Sequence, residues 1–142
     1  MNTHHYRHWP LGLPHRITAP DTSLYVNLEV SARRFPNRTA IIFYDSLLTY
    51  LQLYVKVEAM AGYLQKVCGV QRGDRVLLDM QNSPQFIIAY YAILRADAMV
   101  VPVNPMLLTD ELSHYVADSG AKVAIASQEV FPRLSPLMGN NG

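Results

Sequence analysis

Across 142 residues the chain holds one cysteine, Cys68, so no intramolecular disulfide framework can form, and a lone thiol is compatible with a reducing cytoplasm. Its longest apolar run, Phe86 to Leu94, falls far short of the ~20 residues a membrane helix needs. The opening residues, MNTHHYRHWPLGLPHR, lack the apolar central stretch of a secretory signal. Charge of one sign is missing as well. Twelve Lys and Arg stand against eleven Asp and Glu, with no run of five like charges, so the chain as a whole carries no electrostatic footprint for nucleic acid or an anionic membrane. Phosphate-cradling patterns are absent: neither G-x-x-x-x-G-K-[ST] nor G-x-G-x-x-G follows any strand. These absences lead us to expect a cytoplasmic, soluble chain with no transmembrane segment and no nucleic-acid partner.

What is present is enough for a core. Half the residues are apolar and 16% are charged, which suits a globular domain that buries roughly 70% of the surface of its unfolded chain. Residues 1–20 hold three prolines, four of the five histidines and no regular apolar spacing, and read as an extended arm. Residues 21–142 read as one folded unit. A helix starts after Asp21-Thr22-Ser23, with an apolar stripe at Leu24, Leu28, Ala32 and Phe35, and Pro36 stops it. TAIIFY (39–44) and LLTY (47–50) form a small hairpin around Asp45-Ser46. Leu53, Val57, Met60, Ala61, Leu64 and Val67 recur at helical steps, and Gly69-Val70 supplies a left-handed cap with its apolar partner.

RVLLDM (75–80), MVVPV (99–103) and KVAIA (122–126) are short β-branched runs separated by helical segments, the βαβ alternation of a parallel sheet. The first crossover opens with the cap Asn82-Ser83 and Pro84 at the first helical position, and QFIIAYYAILR is apolar nearly all round, hence buried. The second starts at Thr109, places Asp110 and Glu111 in its first turn, buries Leu112, Tyr115 and Val116, and stops at Gly120. Right-handed crossovers then give a three-stranded sheet. A last helix over QEVFPRLSPLMG is weakened by Pro132 and Pro136. The fold class expected is α/β, a partial parallel sheet with crossover helices, preceded by the arm and the hairpin.

Candidate chemistry is sparse. His4, His5 and His8 could bind a metal, but a site needs three or four converging ligands, and a solvated polar tail is the better reading. Arg72-Gly73-Asp74 sits where a strand is entered and reads as a tight turn. Cys68 ends an amphipathic helix, which favours packing over nucleophilic use. Tyr90-Tyr91 and the Tyr50, Tyr54 pair suit core or rim positions. Asp79 and Glu58 could be imagined as an acid and base pair, with nothing in the sequence fixing their separation.

LLTYLQL (47–53), GVQRGDRVLLDMQNSPQFIIAYYAILRADAMVVPVNP (69–105) and ELSHYVADSGAKVAIAS (111–127), in that order and spacing, resemble the front part of the AMP-forming acyl-CoA synthetases, most of all bacterial long-chain fatty acid ligases. The resemblance runs from about Trp9 to about Leu137. It implies that the Leu48-Thr49-Tyr50 segment and the strand ending Pro102-Val103-Asn104-Pro105 are two of the superfamily's recurrent core motifs, and that the strand is scaffold. It implies ATP, magnesium and coenzyme A as cofactors of the full-length family. It also implies that the parts performing the chemistry are absent here: the Ser/Thr/Gly-rich phosphate loop, the Tyr-Gly-x-Thr-Glu segment, the ribose-binding aspartate and the C-terminal lysine. No catalytic, cofactor-binding or metal residue is therefore carried over, and none of those cofactors is expected for this chain alone. The expected partners are a complementary ligase fragment or a second copy through an exposed sheet edge. The chain departs from the family at Asp97, where glycine is commonest, and at Gln52, where glutamate is usual. The turn at Asp97 calls for positive φ, the alternative being a cap or salt-bridge role toward Arg95.

Overall fold

The computed structural model describes residues 4–139. Its centre is a parallel sheet of three strands, β3 (Arg75–Asp79), β4 (Met99–Val103) and β5 (Val123–Ala126), in the order β4-β3-β5. Arg75 pairs with Met99 and Val76 with Val123, so the strands run in register from the start of the sheet. The antiparallel hairpin of β1 (Thr39–Phe43) and β2 (Ser46–Thr49) forms a separate two-stranded sheet. Its turn is Tyr44-Asp45, one residue earlier than the sequence suggests, and Tyr44 takes φ +49°.

Side chains alternate along β3 and divide the core between two layers. Val76 and Leu78 join Leu28 of α1 (Leu24–Arg34), Val57 of α2 (Tyr50–Lys66) and Ile93 of α3 (Pro84–Arg95). Leu77 points the other way, to Leu112 of α4 (Thr109–Ser119) and Leu134 of α5 (Phe131–Leu134). From β3 the chain steps to β4 through α3 on one face, then back past β3 to β5 through α4 on the other. Reversing both the face and the direction leaves the hand unchanged, so the two crossovers turn alike, as the parallel connection requires.

The ends of the helices follow their sequence signals closely. Ser83 Oγ accepts the Phe86 N–H at 3.2 Å with Pro84 opening α3. Gly69 and Gly120 take φ +69° and +61°, and the Val70 N–H closes α2 by donating to the Leu64 carbonyl at 2.9 Å. Gln52 proves more useful than its position suggests: its side chain accepts from the Thr49 N–H at 2.9 Å while Thr49 Oγ1 accepts from the Gln52 N–H at 3.2 Å, a complete capping box for α2. At α4, the Glu111 carboxylate accepts from the Leu108 N–H at 2.9 Å.

Four expectations are corrected. The arm is not extended: residues 4–8 form a 3-10 helix, a turn closes from the Leu13 N–H to the Pro10 carbonyl at 3.3 Å, and Tyr6 stacks on His15 with ring centroids 4.2 Å apart. The buried stripe of α1 is Tyr25, Leu28 and Ala32, rotated away from Leu24 and Phe35, both exposed. The guanidinium groups of Arg34 and Arg38 instead each stand over the Phe35 ring, at 5.5 and 5.4 Å from its centroid. In α3 only Ala89, Ala92 and Ile93 are fully buried, and in α4 only Leu112, with Tyr115 exposed. α4 is thus covered on one side alone, whereas the remaining apolar side chains of α3 are half-buried against the larger core.

Backbone parity decides what the two outer strands present. Met99 donates to the Asp74 carbonyl, so the odd residues of β4 bond to β3 and the even ones, Val100 and Pro102, turn outward. Ser127 donates to the Asp79 carbonyl, so in β5 the outward residues are Ala124 and Ala126. Pro102, exposed and without an N–H, therefore stands where no donor is needed.

Candidate functional site

In a parallel α/β sheet, ligands bind beyond the carboxyl ends of the strands. Here that rim is formed by the ends of β3 and β4 and the first turn of α3. A recess of about 340 Å³ lies there, lined by Met80, Gln81, Asn82, Phe86, Asn104 and Pro105 among others. One of its polar side chains, and a serine beside it, already serve in turning the chain. Asn104 Oδ1 accepts from the Met106 N–H at 3.0 Å, and the Ser83 hydroxyl caps α3. Arg133 reaches across from α5 and donates to the carbonyls of Pro105 at 2.7 Å and Leu107 at 2.8 Å, fastening the β4–α4 loop. A more voluminous hollow, about 690 Å³, lies along His114, Tyr115 and Asp118 on the exposed side of α4, away from the strand ends. We place the candidate site at the rim, where the backbone converges.

Asp79 ends β3 with none of its surface exposed, and both carboxylate oxygens and the buried Ser127 Oγ lack a hydrogen-bond partner. Burial pushes its carboxyl above the ordinary range, and the positive charge of Arg133 only partly offsets this. Two residues beyond Leu77, it faces the α4–α5 layer. Glu58 lies on α2, in the opposite layer. The imagined Asp79–Glu58 acid and base pair is therefore separated by the sheet.

Glu58 has its own partners. Its Oε1 accepts from the Tyr25 hydroxyl and, at 2.7 Å, from Arg95 Nε, while the Arg95 guanidinium stands over the Tyr25 ring at 5.3 Å. Burial raises the Glu58 carboxyl, but the hydrogen bonds from Tyr25 and Arg95 and the charge of Arg95 together outweigh it and leave the group below its ordinary value. The Tyr25 hydroxyl is driven well above its usual range, first by burial and then by its bond to Glu58. The Glu58 bond likewise raises Arg95. The triad ties α1, α2 and α3 together and is remote from the rim.

The remaining candidates take structural positions. His4, His5 and His8 lie in the exposed 3-10 helix, and among the described residues no group of three or more His, Cys, Asp or Glu is arranged to hold a metal. Gly73 adopts φ +84° in the turn entering β3, and Asp74 Oδ2 accepts from the Gln71 N–H at 2.8 Å, which accounts for the Arg-Gly-Asp tripeptide. Cys68, Tyr50, Tyr54, Tyr90 and Tyr91 pack half-buried against the larger core. Asp97 adopts φ +58°, and Arg95 pairs with Glu58 rather than with it. At the rim, Asn104 Oδ1 and Ser83 Oγ serve the local backbone, while Asp79 is buried with neither carboxylate oxygen bonded.

The sequence model of the family described as "AMP-binding enzyme" matches residues 28–141. The chain belongs to this AMP-binding enzyme family. It is 37% identical over 126 residues to the long-chain-fatty-acid–CoA ligase of Bacillus subtilis (strain 168), covering 88% of this chain and 22% of that protein. To the enzyme of the same name from Yersinia pestis it is 39% identical over 117 residues, 81% of this chain and 21% of that one. The solved Mycobacterium tuberculosis fatty acyl CoA synthetase superposes with a TM-score of 0.76 at 29% identity, covering 84% of this chain and 24% of that structure. This member of the AMP-binding family thus spans about a fifth of the length of the curated relatives it matches, and it resembles the N-terminal part of long-chain fatty acid CoA ligases. No helix among its described residues is long and apolar enough to cross a membrane.

Proposed function

We propose that residues 1–142 are the scaffold-forming front of a cytoplasmic long-chain fatty acid CoA ligase, and that they contain no catalytic, cofactor-binding or metal residue. The observation that carries this reading is the 37% identity to a long-chain-fatty-acid–CoA ligase along 88% of the chain. Such a ligase uses ATP and magnesium to turn a fatty acid into an acyl-adenylate and pyrophosphate, then passes the acyl group to coenzyme A. Phosphoryl charge must be met by positioned amides, lysine and metal, and the glycine-rich patterns that would position such groups do not follow any strand of the sequence. Its partner is the complementary ligase portion. The purified chain is expected to show no fatty-acid-dependent exchange of pyrophosphate into ATP, whereas grafting it in place of the matching front of the Bacillus subtilis ligase restores exchange. A folded graft that stays inactive would overturn the ligase reading, and exchange by the chain alone would overturn the claim that it holds no catalytic residue.

A further inference from the structure

Among the described residues Asp79 is the buried charged side chain, with none of its surface exposed and neither carboxylate oxygen hydrogen-bonded. A carboxyl so placed favours its neutral form and, once ionised, seeks a donor. Arg133 supplies one nearby. On β4, Asp79 is paired with Val103, and two residues past Val103 stands Pro105, whose carbonyl accepts from Arg133 Nη2 at 2.7 Å. Arg133 Nη1 donates to the Leu107 carbonyl at 2.8 Å. The guanidinium thus lies one strand over, just past the end of the sheet, and its positive charge acts on the Asp79 carboxyl. It is half-buried, and the ion pairs among the described residues, Arg33 with Glu29 and Arg95 with Glu58, leave it out.

Among the described residues no other charged group faces Asp79. Its neighbour on β5 is Ala126, and α4 buries Leu112 against this layer while Asp110, Glu111, His114 and Asp118 are exposed. Glu129, ahead of α5, is exposed too, and Arg75 and Lys122 lie at the opposite end of the sheet. While Asp79 is neutral, the two carbonyls are the acceptors for Arg133, and the loop between β4 and α4 is fastened to α5. An ionised carboxyl is a stronger acceptor than a peptide carbonyl, and a guanidinium forks onto it with two nitrogens. The same two nitrogens cannot serve both. We propose that Asp79 and Arg133 form a proton-operated latch: with Asp79 protonated, Arg133 holds the carbonyls of Pro105 and Leu107, and with Asp79 ionised it turns to the carboxylate and releases the loop. The proton passes to solvent and no other covalent bond changes. Asn104 and Pro105 line the recess at the strand ends, so the latch sets how far that recess opens. Burial raises the Asp79 carboxyl and Arg133 offsets this only in part, so the latch is closed in acid and opens above the usual carboxylate range. It depends on side chains of this chain alone and not on the ligase reading.

Met106 and Leu107 report on the loop, because their amides donate to Asn104 Oδ1 and to the Asn104 carbonyl, each at 3.0 Å. In hydrogen exchange of the full chain, corrected for the intrinsic effect of pH, their protection is expected to fall about tenfold or more as the Asp79 carboxyl carbon, followed by NMR, titrates. Asp79→Asn should keep the loop protected across the same range. Arg133→Met should leave it unprotected throughout. Protection of the β3 amides verifies that each variant is folded, and if a variant is not, the wild-type titration decides alone. Four results would overturn the proposal. They are loop protection that stays constant while Asp79 titrates, pH-dependent loop exchange that persists in Asp79→Asn, and a loop still protected in Arg133→Met. The fourth is an Asp79 carbon signal that does not titrate between about pH 4 and about pH 9.

Discussion

The two faces of the parallel sheet are packed to different depths. On one, three helices pack against β3 and its neighbouring turns in a continuous core of fifteen buried residues; on the other, α4 and α5 contribute to a cluster of five. The half-buried carboxylate of the deep layer is satisfied, since Glu58 there collects a phenol and a guanidinium. The buried one of the thin layer is not, since Asp79 is enclosed with neither oxygen bonded. A carboxylate on a helix can reach neighbours on two other helices, whereas one at the end of a central strand meets only what the covering layer supplies.

The contrast is tested most severely by truncating one core residue on each face. Ile93→Ala is expected to cost about 2–5 kcal/mol and lower the global denaturant midpoint. Leu112→Ala should act locally, removing hydrogen-exchange protection from α4 and α5 while β3 and α3 stay protected. Equal loss of protection on both faces would show a single cooperative core.

Next in size is Asp79→Leu, which removes an unpaired buried carboxyl and should stabilise the chain at neutral pH by about 1–3 kcal/mol. The folded-state pKa is raised, so as pH climbs through the ordinary carboxylate range the unfolded chain ionises first, and the wild type loses stability until the buried group also ionises. The leucine variant should lack that slope. Glu58 gives the opposite one. Its folded pKa is depressed, so its contribution is present above the ordinary carboxylate range and disappears as pH falls through the folded value. Glu58→Gln should therefore cost about 1 kcal/mol at pH 7, the partial exposure of the pair limiting the effect, and nearly nothing in strong acid. Melts across pH for the two variants would break the comparison if both slopes had the same sign.

The smallest effect concerns the turn that joins α3 to β4. At φ +58° an aspartate costs on the order of 1 kcal/mol relative to glycine, so Asp97→Gly should raise the denaturant midpoint by up to that amount and Asp97→Val should lower it. A lower midpoint for the glycine variant would assign Asp97 a side-chain role instead.

Much of this architecture was legible from single residues because the signals are local. Ser83-Pro84 starts a helix, Gly120 ends one, and the three β-branched runs coincide with β3, β4 and β5 to within a residue. The turn at Asp97 was legible for the same reason: a helix must reverse into a strand within three residues. What could not be read joins distant positions. Tyr25 lies 33 residues from Glu58, and Glu58 37 from Arg95, so no periodicity announces their triad. The stripe of α1 was misread because a tyrosine bound to a glutamate through its hydroxyl can be buried in place of Leu24, a choice that hydrophobicity alone does not make. At the rim, the strand ends located the recess, but only side-chain geometry showed Asn104 Oδ1 committed to the Met106 N–H.

Pro102 gives the sheet a direction of growth. A further strand laid against β4 would find an acceptor without its matching donor in the middle of the seam, whereas one laid against β5 meets the amides of Ala124 and Ala126 intact. Regarded as a ladder, the sheet has one rail with a rung missing and one with its rungs complete. The absence of a single hydrogen thus leaves the β4 flank one donor poorer than the β5 flank.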